Sequence, residues 1–171
     1  MALLNELTDA SPTIEYVQRS VFPAAYGLLP GPMASPAASA MLLAIGLQES
    51  RFVHRRQVHG PARGFWQFEL GGVNGVLLHG ASRDHAAAAM DILRYRRMDS
   101  SPAHAALEHN DVLAAIFARL LLWTLPEALT GPQDADRAWG QYLDAWRPGK
   151  PHRQTWDAFY TRAWNRVTTF S

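Results

Sequence analysis

Residues 44–72 read AIGLQESRFVHRRQVHGPARGFWQFELGG. An apolar run ends on Glu49 and Ser50, a basic stretch follows, and after Gly60, Pro61 and Gly64 the chain returns with Phe65, Trp66, Gln67, Phe68 and Glu69. A glutamate near the C-terminal end of a buried helix meets desolvation and the negative end of the helix dipole, and both favour its protonated form. That form can protonate a leaving oxygen at neutral pH and, once ionised, take a proton back. The position equally suits a glutamate at the solvent edge of a helix, paired with Arg51 or Arg55, and periodicity leaves both readings open.

The run before Glu49 predicts a helix over 36–50. Ser35 caps it and Pro36 takes its first position. Met41, Leu42, Ile45 and Gln48 or Glu49 recur at three-to-four spacing, while Ala37, Ala38, Ala40, Ala44 and Gly46 let neighbouring helices come close, as in a central helix. Upstream, Ser11 and Pro12 open a short helix that should end near Pro23, and GLLPGPMASP is a turn-rich linker, so 1–34 forms an N-terminal helix and linker. Downstream, 53–81 loses helical periodicity and holds six glycines. It predicts a long functional loop with a small strand or β-hairpin across Gly64 to Leu70.

Helices follow to the C-terminus. Ser82 caps one running to about Arg97, with Ala86, Met90 and Leu93 facing inward, and Pro102 begins a short piece. Asn110 or Asp111 caps a second buried helix to Thr124, with Val112, Leu113, Ile116, Phe117, Leu120 and Leu121 as its apolar face. Trp139, Tyr142, Leu143 and Trp146 precede RPGKP. Trp156, Phe159, Tyr160, Ala163, Trp164 and Val167 mark the last helix, and these aromatic stripes are packing residues.

A chain of 171 residues, 48% hydrophobic, supports one core and a single domain over 1–171. Its 16 basic and 15 acidic residues give a net charge of +1, which offers no electrostatic case for a nucleic-acid partner. Without cysteine there is no disulfide framework, thiolate metal site or cysteine nucleophile. The seven histidines show no His-Glu-x-x-His pattern, and phosphate- and dinucleotide-binding glycine fingerprints are missing, so neither metal nor cofactor is expected. MALLNELTDASPTIEYV lacks the layout of an export signal, and AAIFARLLLW is broken by Arg119 and too short to span a membrane. The expectation is a soluble monomer.

In the loop, the rings of Phe65 to Phe68 suit the apolar face of a pyranose, and Gln67 can both donate to and accept from an N-acetyl group. An ordinary half-buried strand has the same pattern. In such a strand Gln67 and Glu69 would share the groove face while Trp66 and Phe68 pack behind. His59 and His79 lie in the same region, as cleft residues or as loop hydrogen-bonding groups.

GLQESRF at 46–52 followed by GPARGFWQFE at 60–69 resembles the paired signature of the lytic transglycosylase and goose-type lysozyme group of the lysozyme-like superfamily. The resemblance implies a mainly α, lysozyme-like domain with the loop or hairpin lining a cleft. It places Glu49 on the catalytic acid/base and Ser50 on the serine that shapes the site. Gly64 falls on the turn glycine, Gln67 on the glutamine of the central sugar subsites, and Phe65 and Trp66 on the hydrophobic positions between them. Tyr142 is a candidate for a later tyrosine near the glutamate. The family's Ala-Tyr-Asn segment has no counterpart, since 113–123 offers only Phe117 at a comparable place.

The implied activity is that of a peptidoglycan lytic transglycosylase, cleaving the β-1,4 bond between N-acetylmuramic acid and N-acetylglucosamine with one glutamate. The alternative is a muramidase in which Glu69 activates water, and an inverting hydrolase would hold its two carboxyl groups roughly 6.5–9.5 Å apart. Arg51, Arg55, Arg56 and Arg63 would meet peptidoglycan carboxylates. They would also suit a phosphate backbone, as would LRYRRM at 93–98, in a rival helical nucleic-acid-binding or phage structural module without enzymatic activity. Small size, no wall-binding module and no export signal resemble phage or prophage enzymes. Such enzymes pass from the host cytoplasm to the periplasm or cell wall with a holin, or travel with the virion.

Overall fold

The computed structural model describes residues 11–95 and 99–169, apart from the side chain of Ser11. It is mainly helical. The helices are α1 (Ser11–Tyr16), α2 (Phe22–Tyr26), α3 (Pro36–Ser50), α4 (Leu70–Leu78), α5 (Arg83–Ile92), α6 (Ser100–Ala106), α7 (Asp111–Trp123), α8 (Ala135–Trp146) and α9 (Arg153–Thr169). A π-helical turn, Val17–Val21, joins α1 to α2, and a 3-10 turn covers Gly31–Met33.

α3 forms where its caps and small residues direct it. The Ser35 hydroxyl accepts from the Ala38 N–H at 3.1 Å, and Pro36 follows at the first helical position. Its alanines and Gly46 let other helices approach, and all of Ala40 to Leu47 is buried. α9 packs along it, with α7 on another side, so the domain core is built around α3. The aromatic stripes of α8 and α9 pack on each other: Tyr142 stacks on Trp156 at 5.2 Å between centroids, and Trp156 on Tyr160 at 5.8 Å.

Several expectations change. The first helix does not stop at Pro23 but continues to Tyr26. Proline removes one backbone donor and crowds the preceding turn. Here the wider π turn lies just ahead of it, with the Phe22 N–H reaching back to the Val17 carbonyl. Residues 70–78 are helix α4 rather than loop, packed against α5, α6 and α7. Ser82 precedes α5 without capping it; its hydroxyl is buried and donates to the Val76 carbonyl at 2.7 Å. α5 ends at Ile92, and Arg96, Arg97 and Met98 lie outside the described residues.

The expected strand across 64–70 is likewise absent among the described residues. Isolated bridges pair Arg63 with Arg56 and with Phe68. Arg63 and Phe68 exchange backbone bonds of 2.9 and 2.8 Å, and the four residues between them close a tight turn. Gly64 sits there at φ 73° and Gln67 at φ 45°, so the alternation of an extended strand is lost. Among the described residues no helix is long and apolar enough to cross a membrane.

Candidate active site

Glu49 stands one residue before the end of α3, where the helix leaves the core, and its carboxyl opens into a cleft of about 410 Å³. Desolvation by burial raises its pKa from the ordinary 4.5 to about 7; the hydrogen bond from Tyr142 opposes the rise, and the charge of Glu69 adds to it. Tyr142 Oη donates to Glu49 Oε1 at 2.5 Å. Burial first, and then the neighbouring carboxylate, push the phenol pKa well above its ordinary value, so Tyr142 remains a donor at neutral pH. With Oε1 held by that hydroxyl, Oε2 is the oxygen free to carry a transferable proton. Glu49 is therefore not an edge residue paired to an arginine: Arg55 is spent on Asp111, at 2.8 and 2.7 Å, and Arg51 lies over the Phe159 ring.

Ser50 explains how the loop is fastened beside the glutamate. Its hydroxyl donates to the Phe65 carbonyl at 2.6 Å and accepts from the Phe52 N–H at 3.1 Å, while lying 3.2 Å from the Gly46 carbonyl. It is 5% exposed, so it shapes the site by joining helix to loop rather than by meeting a ligand. Gly64 donates its N–H to the Arg55 carbonyl at 2.8 Å and occupies the left-handed region. A Cβ there would lie 2.8 Å from the Leu107 carbonyl oxygen, so glycine is required on two counts.

Phe65 and Trp66 lie in the core rather than on the cleft lining. They are 1% and 0% exposed and form a buried cluster with Phe52, with centroids 5.4 Å (Phe52–Phe65) and 5.9 Å (Phe52–Trp66) apart. The Trp66 indole N–H donates to the Leu42 carbonyl in α3 at 2.8 Å. The tight turn cannot alternate faces, and the gain from burying two large rings decides where they go. Gln67 does line the cleft, with Glu49. It also braces the turn, since its amide nitrogen donates to the Gly64 carbonyl at 2.7 Å and the His54 carbonyl at 3.3 Å.

Glu69 is exposed, precedes α4 and borders the same cleft. Arg63 pairs with Glu108 at 3.2 Å rather than with Glu69. Opposite Glu49, α4 presents Gly71, Gly72 and Gly75, and His79 follows at its end; His59 is not part of the cleft lining. Leu121 comes from α7 and Thr124 from its C-cap. The other wall is the end of α8 and its continuation, Asp144 to Pro148.

That wall supplies the aromatic surface that Phe65 and Trp66 do not. Trp146 lines the cleft, half-buried, and its indole N–H donates to the Trp66 carbonyl at 2.8 Å. Sequence reasoning placed Trp146 in a packing stripe. The signal present was its position as the last aromatic of that stripe, beside the RPGKP stop, where a helix face runs out into a cleft. Among the described residues no three His, Asp or Glu side chains cluster as metal ligands would. Comparison of the chain with protein-family models, with curated proteins and with solved structures finds no match.

Proposed function

We propose that the protein is a peptidoglycan lytic transglycosylase that cleaves the β-1,4 bond between N-acetylmuramic acid and N-acetylglucosamine. The observation that carries this reading is the Glu49 carboxyl: it opens into a cleft, has a pKa raised to about 7 by burial, and has one oxygen held by Tyr142. A group with those properties suits both halves of a single-residue acid/base mechanism. Glu49 Oε2–H protonates the glycosidic oxygen as the bond to the muramic C1 breaks. The muramic 6-hydroxyl then attacks C1, and the Glu49 carboxylate takes its proton. No water is consumed, the product ends in a 1,6-anhydro ring, and Glu49 is again protonated. Trp146 offers a flat apolar surface to a pyranose ring, and Gln67 borders the same space.

A second reading rests on Glu69, an exposed carboxylate on the same cleft. As a base it would deliver water to C1, making the protein a muramidase with Glu49 as acid. Mass spectrometry of digests of purified sacculi separates the two. Anhydromuropeptides, lighter by one water, from wild type and from E69Q alike support the transglycosylase. Reducing ends made by wild type and lost in E69Q support the muramidase. Undiminished wall clearing by folded E49Q would remove Glu49 from either role, because glutamine keeps the shape but has no proton to give.

The partner in this proposal is bacterial peptidoglycan, reached by holin-dependent release from a phage host or by carriage on the virion. Presence in purified particles would favour the virion route, and holin-dependent lysis the other.

A further inference from the structure

Arg119 breaks the apolar run of α7, and the cleft makes no use of it. It is 4% exposed. Among the described residues its guanidinium has one hydrogen-bond acceptor, the Met33 carbonyl at 2.7 Å from Nε, while Nη1 is buried without a partner. The guanidinium carbon lies 4.9 Å from the centroid of the Trp123 ring. None of the ion pairs found among the described residues includes Arg119. Arginine keeps its charge at neutral pH even where burial disfavours it, so among the described residues Arg119 is a desolvated cation without an ion-pair partner.

This side chain borders a second cavity, of about 440 Å³. Arg119, Leu122 and Trp123 share one face of α7, whereas Leu121 on the other face and the C-capping Thr124 serve the cleft. The N-terminus of α3 reaches the same cavity through Ser35 and Ala37. Ser35 satisfies the Ala38 N–H, but Ala37 stands at the second helical position, where an α-helix provides no acceptor for the N–H. The positive end of a 15-residue helix and a guanidinium thus converge on one space. Leu122, Leu125 and Leu129 make much of the remaining wall apolar. Glu127, also on the lining, is tied to Arg137 at 2.7 Å, which offsets its charge.

We infer that this cavity is a second binding site, for a small apolar molecule bearing one carboxylate. The carboxylate takes the Ala37 N–H beside the Arg119 guanidinium, whose charge draws it in, and the apolar body rests on Leu122, Trp123 and Leu129. A multiply charged anion such as phosphate fits less well, because the leucine walls cannot solvate it and the Glu127 carboxylate is part of the lining.

The test is titration of the protein with 3-phenylpropionate, 3-phenylpropionamide and inorganic phosphate, followed by amide and indole NMR shifts. Saturable shifts at the Ala37 amide and Trp123 indole are expected with the carboxylate, and at least about tenfold weaker binding with the neutral amide, since a charged hydrogen bond is lost. Arg119→Met should abolish the difference between the two. Ala128→Trp alters an exposed lining residue, keeps the guanidinium and fills the cavity, so it should weaken carboxylate binding even if Arg119→Met fails to fold. Equal response to acid and amide, no saturation at either reporter, or unchanged binding in Ala128→Trp would overturn the inference. Saturation by phosphate alone would overturn the assigned ligand class. E49Q should bind as wild type does, so the outcome stands apart from that of the cleft's proposed activity.

Discussion

E49Q should gain stability over wild type as pH rises, by an amount set by the burial of the carboxyl. Burial lifts the Glu49 pKa from 4.5 to about 7 in the folded protein. Since a tenfold change in proton affinity is worth about 1.4 kcal/mol, the difference between folded and unfolded chains comes to about 3 kcal/mol. The folded state binds the proton more tightly, so this contribution favours folding fully below about pH 4.5 and is lost as pH climbs through about 7. Above that, the folded protein holds an ionised carboxylate where solvation is poor. Glutamine has nearly the same shape, does not titrate, and its amide oxygen can still accept from Tyr142. Urea unfolding of both proteins at about pH 4 and about pH 8.5 should show the stability of E49Q relative to wild type rising by up to about 3 kcal/mol. A relative stability constant to within about 0.5 kcal/mol across that interval would mean that Glu49 is not desolvated as described, and the argument for a general acid would fail with it.

Tyr142→Phe removes the hydrogen bond that holds the Glu49 pKa down, so the alkaline limb of a wall-clearing pH–rate profile should move to higher pH while the maximal rate falls. Ser50→Ala deprives the buried Phe65 carbonyl and Phe52 N–H of their partner; a cost of about 1–3 kcal/mol in urea unfolding is expected, and an effect near zero would deny the latch. Gly64→Ala meets both a left-handed backbone and the Leu107 carbonyl, so a loss of more than about 1 kcal/mol should appear in thermal or urea unfolding. Trp146→Ala should weaken binding of an N-acetylglucosamine oligomer, measured by titration calorimetry, while Trp146→Phe keeps part of it.

Much of the frame was legible in order along the chain. Ser35-Pro36 predicted the start of α3, and the small residues predicted its central place, because capping and close packing are local consequences of residue type. Glu49 stood out for a similar reason: an ionisable group at the end of an apolar helix has few solvents but the cleft. The Ser82 hydroxyl shows the limit of such reasoning, since a buried carbonyl at Val76 competed with the cap and won.

α4 was not legible because Gly71, Gly72 and Gly75 weaken helix propensity locally. Packing against α5, α6 and α7 supplies what propensity lacks, and it uses the glycines: a Cβ on Gly72 would come within 3.1 Å of the Phe68 ring. The burial of Phe65 and Trp66 was hidden in another way. An aromatic-Gln-aromatic-Glu string fits a strand, a platform or a turn, and only the Ser50 and Arg55 contacts select the turn.

By itself the sequence determined the helical class, the capped central helix, the carboxyl at its end and the glycine turn that follows, since each depends on neighbours within a few positions. Tertiary structure alone decided that Tyr142, a candidate by resemblance only and 93 positions away, donates to Glu49, that Trp146 rather than Trp66 faces the cleft, and that Arg63 pairs with Glu108 and leaves Glu69 on the cleft. Those outcomes depend on how α8 docks on α9 and α7 and meets the loop, through the Trp146 bond to the Trp66 carbonyl and the stacking of Tyr142 on Trp156. Periodicity shows which face of a helix is apolar; where that helix docks, and so which of its side chains meets a distant carboxyl, is settled by the competing burial of every face at once.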